Sequence, residues 1–544
     1  MARPQTQTST VPPTQPHRWP CGRIAVGILL VAGLWHGAIA LTMPCISRDS
    51  VTFCWYARDL GEQGLAHLRG ENAAQHPLMP AAVLAAQRLA RCCGAPDTPM
   101  TWQRSGQAVS WLAGMAVVVL AGAITHRFVR RLELPIDTGL AACAAMVLAM
   151  VLPLNVWLSA EIMSDELHLA LYLWGAWTLL RLDSVRAAAT CGVAGGLAFL
   201  TRPEGIVVAL AGLAGMVPDR ATPWRRRGVR AAALLAGFLV CAVPYWSVVG
   251  TLSSKKNPLD WLKSSDVALE LPAEAPLLAA DETAFDAPAS ATVSLARLDT
   301  QKRGWYALVP YALYQLFRAG RVVIPLLAIG PLLNLRRRLL WPPLAGVSAC
   351  IAGHFTLTLL LLHRYHYLGQ RHMLVIVMLL VPPAAVLLAR LVSLARERRS
   401  VGWLAPVILA VLSLAAYALP VPNRSARYLA TAADWLRQHD PDIATKRIMT
   451  ASSERRIVFY TDARWVYWYD LPGDTVLPRE LLLGERPDYL ALSVGEGFEV
   501  AGNDAVAELL HSDPEIAPHV QLLHTWPASE KSTLQLYALD WSEP

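Results

Sequence analysis

The chain has 544 residues, of which 54% are hydrophobic and only 16% charged, against about 25% charged in a typical soluble domain; an ordinary soluble globular protein is excluded. The net charge of +7 lies in short Lys/Arg clusters between long uncharged runs, a membrane-topology pattern, and no aromatic-interleaved basic stretch points to nucleic acid. Nine cysteines, an odd number without metal-ligand spacing, argue against a metal cage.

The first run, Ile24–Met43, is uncharged throughout and long enough to cross a hydrocarbon core of roughly 30 Å as a helix. It exceeds the apolar core of a signal peptide, about 7–15 residues, and Met43-Pro44-Cys45 is a poor cleavage context, so it reads as a retained first span. Further apolar runs follow at 107–125, 138–158, 167–180, 187–201, 205–217, 231–250, 319–335, 341–362, 373–390 and 402–419. Together they predict about eleven spans. The runs at 167–180, 187–201 and 205–217 are short and need tilt or burial against neighbours.

Basic clusters at Arg3/Arg18/Arg23, Arg127/Arg130/Arg131, Arg181/Arg186, Arg225/Arg226/Arg227/Arg230, Arg336/Arg337/Arg338 and Arg396/Arg398/Arg399 all fall on one side when the spans are counted. The positive-inside rule then places residues 1–23 in the cytoplasm. It puts 44–106, 159–166, 251–304 and 363–372 outside, with the segment 421–544. The external stretch 266–300 is rich in Ala, Pro and acids and reads as a mobile loop. Cys45, Cys54, Cys92 and Cys93 flank the first external loop, where a disulfide can form. Cys143, Cys191, Cys241 and Cys350 lie in apolar runs as packing residues. No internal repeat is present. From 421 onward the pattern changes to a small α/β domain. Helical spacing is found at Tyr428–Gln438 and Ala505–Leu510, and strand-like runs at Arg447–Ala451, Ile457–Tyr460, Tyr489–Val494, Gln521–Thr525 and Leu534–Leu539. Phe459, Tyr460 and the run Trp465–Tyr469 offer aromatic surface for sugars, but read first as core, with at least half of the rings buried.

Four places carry candidate chemistry. Ser47-Arg48-Asp49-Ser50 follows span one directly. The run Phe53–Leu60, which carries Arg58, then has its apolar residues on one helical face and can lie on the membrane surface. Gln75-His76-Pro77-Leu78 opens a second amphipathic run to Arg91. At the second external turn, Glu161, Asp165 and Glu166 precede a span, where acids favour a helix N-terminus on capping grounds alone. Leu200-Thr201-Arg202-Pro203-Glu204 stands between two apolar runs, and an arginine there can hold a phosphate by forked hydrogen bonds. Finally, Arg364–His372 is basic on the side that should lack basic residues, which favours a bound anion at Arg371 and His372 over simple anchoring.

In this order along the chain, the acid after span one, the surface helices, His-Pro-Leu, the acid at the second external turn, Leu-Thr-Arg-Pro and the Arg-His before a late span resemble the GT-C glycosyltransferases. The similarity is to the branch containing protein O-mannosyltransferases and bacterial aminoarabinose transferases, over roughly residues 24–420. The resemblance implies an α-helical polytopic enzyme with Asp49 as catalytic base, and Asp165 or Glu166 supporting a sugar. It puts His76, Arg202 and Arg371 near a lipid phosphate, with Arg58, Glu204 and His372 in the same substrate-binding set. Two departures stand out: His-Pro-Leu replaces His-Pro-Pro, and His372 stands where relatives often have Tyr. Without an Asp-x-Asp motif, no metal and no cofactor are expected.

The expected substrate is a sugar on a polyprenyl phosphate. The acceptor, a hydroxyl or amine of a glycan, lipid or protein, lies on the external face, and transfer inverts the anomeric centre. The rival class is a polytopic transporter or lipid flippase with an external accessory domain. Such proteins usually place charges near the bilayer midplane; here they gather at the external mouth, Arg318 and Arg321 excepted. The expected location is a bacterial inner membrane, since no retrieval signal ends the chain; the sequon Asn423-Arg424-Ser425 is one that chance supplies.

Overall fold

The computed structural model describes residues 21–69, 75–251, 305–336, 342–365, 368–420, 426–451, 454–467, 478–495, 503–529 and 531–542. The loop expected at 266–300, His366, Tyr367, the sequon, Trp468 and Tyr469 lie outside them.

Helix α1 (Cys21–Thr42) is the first apolar run. Two amphipathic helices follow, α2 (Arg48–Gln63) and α3 (Leu78–Cys92), where the surface helices are expected. Helix α4 (Pro99–Arg131) extends well beyond the expected 107–125. Its first turns are polar, and they have work to do. Gln107 donates to the carbonyls of Ala40 and Ala160, both at 3.1 Å, and Arg104 to that of Ala40 at 2.9 Å. These are the carbonyls that the ends of two neighbouring helices leave unpaired.

The run 138–158 is not one straight span. It breaks into α5 (Thr138–Val151) and α6 (Pro153–Ala160), bent by 59°. The cause is local: Leu152 precedes a proline and is extended, at φ −65° and ψ 117°, as the clash with a following proline ring demands. Helices α7 (Ser164–Leu179), α8 (Val185–Thr201), α9 (Ile206–Met216) and α10 (Trp224–Val249) come next. Helices α8 and α10 approach through small residues. A Cβ at Gly192 would stand 1.9 Å from the Leu234 carbonyl oxygen, and one at Gly237 2.4 Å from that of Ala189, so only glycine fits this helix contact.

The run expected at 319–335 is corrected too. Helices α11 (Trp305–Ala319) and α12 (Val323–Leu335) meet at 109°. The corner is Gly320-Arg321-Val322, with Arg321 and Val322 at φ 50° and 63°. Arg321, without a place in the sequence reading, lies over the rings of Tyr417 and Trp157, at 4.8 and 5.5 Å, a cation–π setting. The last membrane-type helices are α13 (Pro342–Tyr365), α14 (Leu374–Glu397) and α15 (Ala405–Ala418). Among the described residues, six helices are long and apolar enough to cross a membrane, or eight if each bent pair counts as one span; the three short runs fall below that length. None of the nine cysteines is joined in a disulfide, so the one allowed in the first loop is not formed in this structure.

The segment beyond the last membrane-type helix is α/β. It contains α16 (Arg427–His439), β1 (Arg447–Thr450), α17 (Arg455–Thr461), β2 (Arg464–Tyr467), α18 (Pro478–Glu485), β3 (Tyr489–Gly495), α19 (Asn503–Ser512), β4 (Val520–Pro527) and β5 (Ser532–Leu539). The sheet order is β2-β1-β3-β5-β4, with β1 parallel to β2 and β3, and β5 antiparallel to β3 and β4. Ile457–Tyr460, expected as a strand, is helical in α17. Its β-branched and aromatic residues have strand propensity, but all four are buried, and packing decides. Phe459 and Tyr460 are therefore core rings; Trp465 and Tyr467 are partly buried.

Candidate functional site

The site is built around the first turn of α2. Ser47 caps this helix, its hydroxyl accepting from the Ser50 amide at 3.3 Å. Glu161, from the turn between α6 and α7, accepts from the Ser47 amide at 3.1 Å and the Ser50 hydroxyl at 2.7 Å. The Ser50 hydroxyl in turn accepts from the Ile162 amide at 3.1 Å. The second external turn is thus stitched to the start of α2. Asp49, the acid that follows the first span, sits in that first helical turn, where the helix dipole favours a carboxylate.

Three arginines surround Asp49. Arg371, in the turn Gln370–Met373 before α14, donates to its carboxylate at 3.1 Å. Arg48 and Arg455 stand at 3.9 Å each. Burial raises the Asp49 pKa, but Arg371, Arg48 and Arg455 together outweigh it and hold the carboxyl down at about 2. Asp49 is 38% exposed, so the group remains open to a ligand.

A second acid–arginine pair stands beside the first. Asp165, at the start of α7, pairs with Arg202, at the end of α8, and Arg202 also reaches Glu204 at 3.5 Å. Both partners are well buried, at 7% and 13% exposure. Arg371 and His372 lie within electrostatic reach of Asp165, and Arg371 within that of Arg202. The structure therefore gathers Asp49, Arg371, His372, Asp165, Arg202 and Glu204 into one neighbourhood, from four separate stretches of chain. His354, on α13, donates from Nε2 to the His372 carbonyl at 3.1 Å, since a carbonyl oxygen can only accept.

The remaining expected residues stand elsewhere. Glu166 turns away from Asp165 into the bundle: a Cβ at Gly114 of α4 would meet its carboxyl oxygen at 3.4 Å. Neither Glu166 oxygen has a hydrogen-bond partner among the described residues. His76 is buried between the rings of Phe199 and Tyr245, both centroids at 5.3 Å, next to the end of α8 that carries Arg202. Arg58 is taken up by Asp462 at 2.6 Å and lies over Trp102 at 5.5 Å. It bridges to the C-terminal α/β unit, a partner the sequence reading does not supply. Among the described residues, no cluster of three or more His, Cys, Asp or Glu could hold a metal.

Sequence reasoning misses Arg48, Glu161 and above all Arg455 as parts of this site. Arg48 and Glu161 stand in the motif stretches and carry a usable signal, an ionisable side chain beside the candidate acid. Arg455 carries none, because it comes from a different structural unit.

No family model matches the chain, and no curated protein matches it. Solved structures do. The chain is similar to ArnT from Cupriavidus metallidurans bound to undecaprenyl phosphate, at 14% identity and a TM-score of 0.54, over 96% of this chain and 98% of that one. It is also similar to the Archaeoglobus fulgidus oligosaccharyltransferase in its apo form, at 10% identity and a TM-score of 0.56, over 86% of this chain and 69% of that one. The same enzyme tethered to an acceptor peptide with an NVT sequon matches at 11% identity and a TM-score of 0.56, over 96% and 74%. At such identities the likeness is one of fold.

Proposed function

We propose that this chain, which has the GT-C fold, is a membrane glycosyltransferase that moves a sugar from a polyprenyl-phosphate donor to an external acceptor. The observation that carries the proposal is the contact of Asp49 with Arg371, at 3.1 Å across 322 residues of sequence, with the Asp165–Arg202 pair alongside. A potential base and a cluster of fixed cations meet at one point, as displacement at an anomeric carbon requires. The neighbour with bound undecaprenyl phosphate supports a lipid-phosphate donor here.

The step balances as follows. The acceptor oxygen or nitrogen attacks the anomeric carbon from the face opposite the phosphate, and its proton passes to Asp49. The bond from that carbon to the phosphate oxygen breaks, and the electron pair leaves on the phosphate. Arg371 and Arg202 stabilise the departing charge, a contribution that fixed donors make cheaply because they need not reorganise. One displacement inverts the anomeric configuration. A phosphate leaves readily, so neither a general acid nor a metal is required. His372 stands beside the cations, His76 packs against the end of α8 that carries Arg202, Glu204 orients Arg202, and Asp165 holds Arg202 while facing the sugar. Arg58 acts at the edge, holding the α/β unit beside the site. Glu166 supports α7 from within the bundle.

In this reading the chain crosses a bacterial inner membrane about eleven times, with residues 1–23 inside and the unit from 421 outside. The acceptor is a glycan, lipid or protein of the envelope. A reporter active only outside the cytoplasm, fused after Pro544, is expected to be active; a silent reporter on a well-expressed fusion would overturn this topology. The function itself is tested by mass spectrometry of membrane lipids from cells lacking the gene. A polyprenyl-phosphate sugar is expected to accumulate and to be cleared when the gene is restored. An unchanged lipid profile in cells that normally express the protein contradicts the proposal.

A further inference from the structure

The α/β unit touches the membrane part along α2, including the helical turn that carries Asp49, and at the start of α4. Arg455, the first residue of α17, donates two hydrogen bonds to the Arg48 carbonyl, at 2.6 and 3.1 Å. Its guanidinium also stands 3.9 Å from the Asp49 carboxylate and is 12% exposed. The ring of Trp465 lies beneath it, at 6.0 Å, and Trp465 itself packs on Trp55 of α2, centroids 5.0 Å apart. At the far end of α17, the Tyr460 hydroxyl accepts from the Ile46 amide and donates to Gln103, both at 2.9 Å. One residue beyond the helix, Asp462 takes Arg58 of α2.

These contacts share a feature. Each of them grips the segment Ile46–Arg58 or the start of α4 behind it, and Arg455 alone reaches the acid. From the opposite side Glu161 grips Ser47 and Ser50. The first turn of α2 is therefore clamped between the second external turn and the α/β unit. A carboxylate on an amphipathic helix that is only 16 residues long would otherwise be free to shift with that helix, and a misplacement of about 1 Å can cost about 10²-fold in rate.

We infer that Arg455 is a positioning residue for the transfer reaction: by fixing the Arg48 carbonyl and flanking Asp49, it makes the alignment of the base depend on docking of the α/β unit. The inference rests on the proposed role of Asp49. It explains why a distinct domain with its own sheet sends a short, well-buried helix to this place, and why an arginine rather than an apolar residue heads that helix. A guanidinium is the side chain whose fixed fork can hold a carbonyl and face a carboxylate together.

The test uses full-length protein in detergent or nanodiscs, with the lipid-linked sugar that accumulates in cells lacking the gene. Arg455→Met fills similar space without charge or donor; Arg455→Lys restores both in part. Turnover per folded molecule is expected to fall at least about 10-fold in Arg455→Met and to recover only part of that loss in Arg455→Lys, which keeps the charge and a donor without the fork. Binding of undecaprenyl phosphate, followed by native mass spectrometry, is expected to be unchanged in both. A residue that merely fills space would be satisfied by Met. Wild-type turnover in Arg455→Met therefore overturns the inference, as does Arg455→Lys turning over no faster than Arg455→Met. If Arg455→Met does not fold, Arg455→Gln takes its place against Arg455→Lys with the same expected order. Asp49→Asn is measured beside them: if it is inactive while Arg455→Met is normal, only the role of Arg455 fails; if both are normal, the reading of Asp49 fails as well.

Discussion

Asp49→Asn is expected to abolish sugar transfer while leaving the lipid-phosphate site occupied as before. The amide keeps the size of the side chain in the first turn of α2, but loses the capacity to take a proton together with the charge that pairs with Arg371. General-base contributions are typically about 10²–10⁴-fold, so a loss of at least about 10²-fold in turnover is expected from purified protein. The electrostatics add a condition. In the free protein Asp49 is held at about 2 by Arg371, Arg48 and Arg455 against the opposing effect of burial, so it stays ionised throughout pH 5–8. A depressed carboxyl is the charged form stabilised, and its proton is taken up only below that value. No acid limb from Asp49 is therefore expected in the rate profile of the free enzyme at pH 5–8. So low a pKa also makes a feeble base. The donor phosphate is expected to offset this, because its negative charge beside the same arginines opposes their hold on the carboxylate and so returns basicity to Asp49 only when substrate is bound. Normal transfer by Asp49→Asn would remove the base from the mechanism.

The second large effect is expected at the two arginines, and they are not equivalent. Arg371→Ala removes a cation that is partly exposed and touches Asp49 at 3.1 Å. Loss of one preorganised charge-stabilising group usually costs about 10²–10³-fold in rate. A fall of about that size, with weakened undecaprenyl phosphate binding, is expected in purified Arg371→Ala, whose folding should be near normal. Arg202→Ala differs because Asp165, its partner, is 7% exposed. Removing one member of a buried pair leaves the other charge uncompensated, at a cost of about 3–5 kcal/mol. Reduced thermal stability is expected alongside lost transfer, and Arg202→Ala combined with Asp165→Asn should recover the stability without the activity. Thermal melting and turnover on the same preparations separate the two. An Arg371→Ala protein with normal donor affinity and normal turnover would exclude Arg371 from the phosphate site.

Much of this architecture is legible in the sequence, for a simple reason. Lipid leaves a helix few ways to hide its backbone, so uninterrupted apolar runs such as Ile24–Met43 announce themselves. The apolar stripes of Phe53–Leu60 and of the run after His76 do the same for α2 and α3. What escapes is set by packing at a distance. The corner at Gly320-Arg321-Val322 lies at the start of an apolar run, where Arg321 shows as a stray charge and not as a bend. The break at Leu152 is carried by Pro153, a residue also found within intact helices here, as at Pro244 and Pro310.

The site divides in the same way. Asp49, Asp165, Arg202 and Arg371 stand in readable places, each a charge where an apolar boundary should be. Which acid meets which arginine is not readable, since the pairs join residues 322 and 37 positions apart. Nor is the divergence of Asp165 and Glu166. Adjacent residues on a helix point about 100° apart, so one carboxyl faces Arg202 while the other is carried against Gly114, where the absence of a side chain leaves it room. Arg455 lies beyond any local pattern, because its role exists only once the α/β unit has docked on α2.

The most direct measurement gives the purified wild-type protein, in nanodiscs, the lipid-linked sugar isolated from cells lacking the gene, together with membranes of those cells as acceptor. The lipid is then followed by mass spectrometry. The account predicts that the glycosyl–phosphate bond is broken, with free polyprenyl phosphate appearing as the sugar passes to a membrane acceptor. Lipid that is bound, or carried across a bilayer, with its sugar still attached would contradict it and make the protein a transporter.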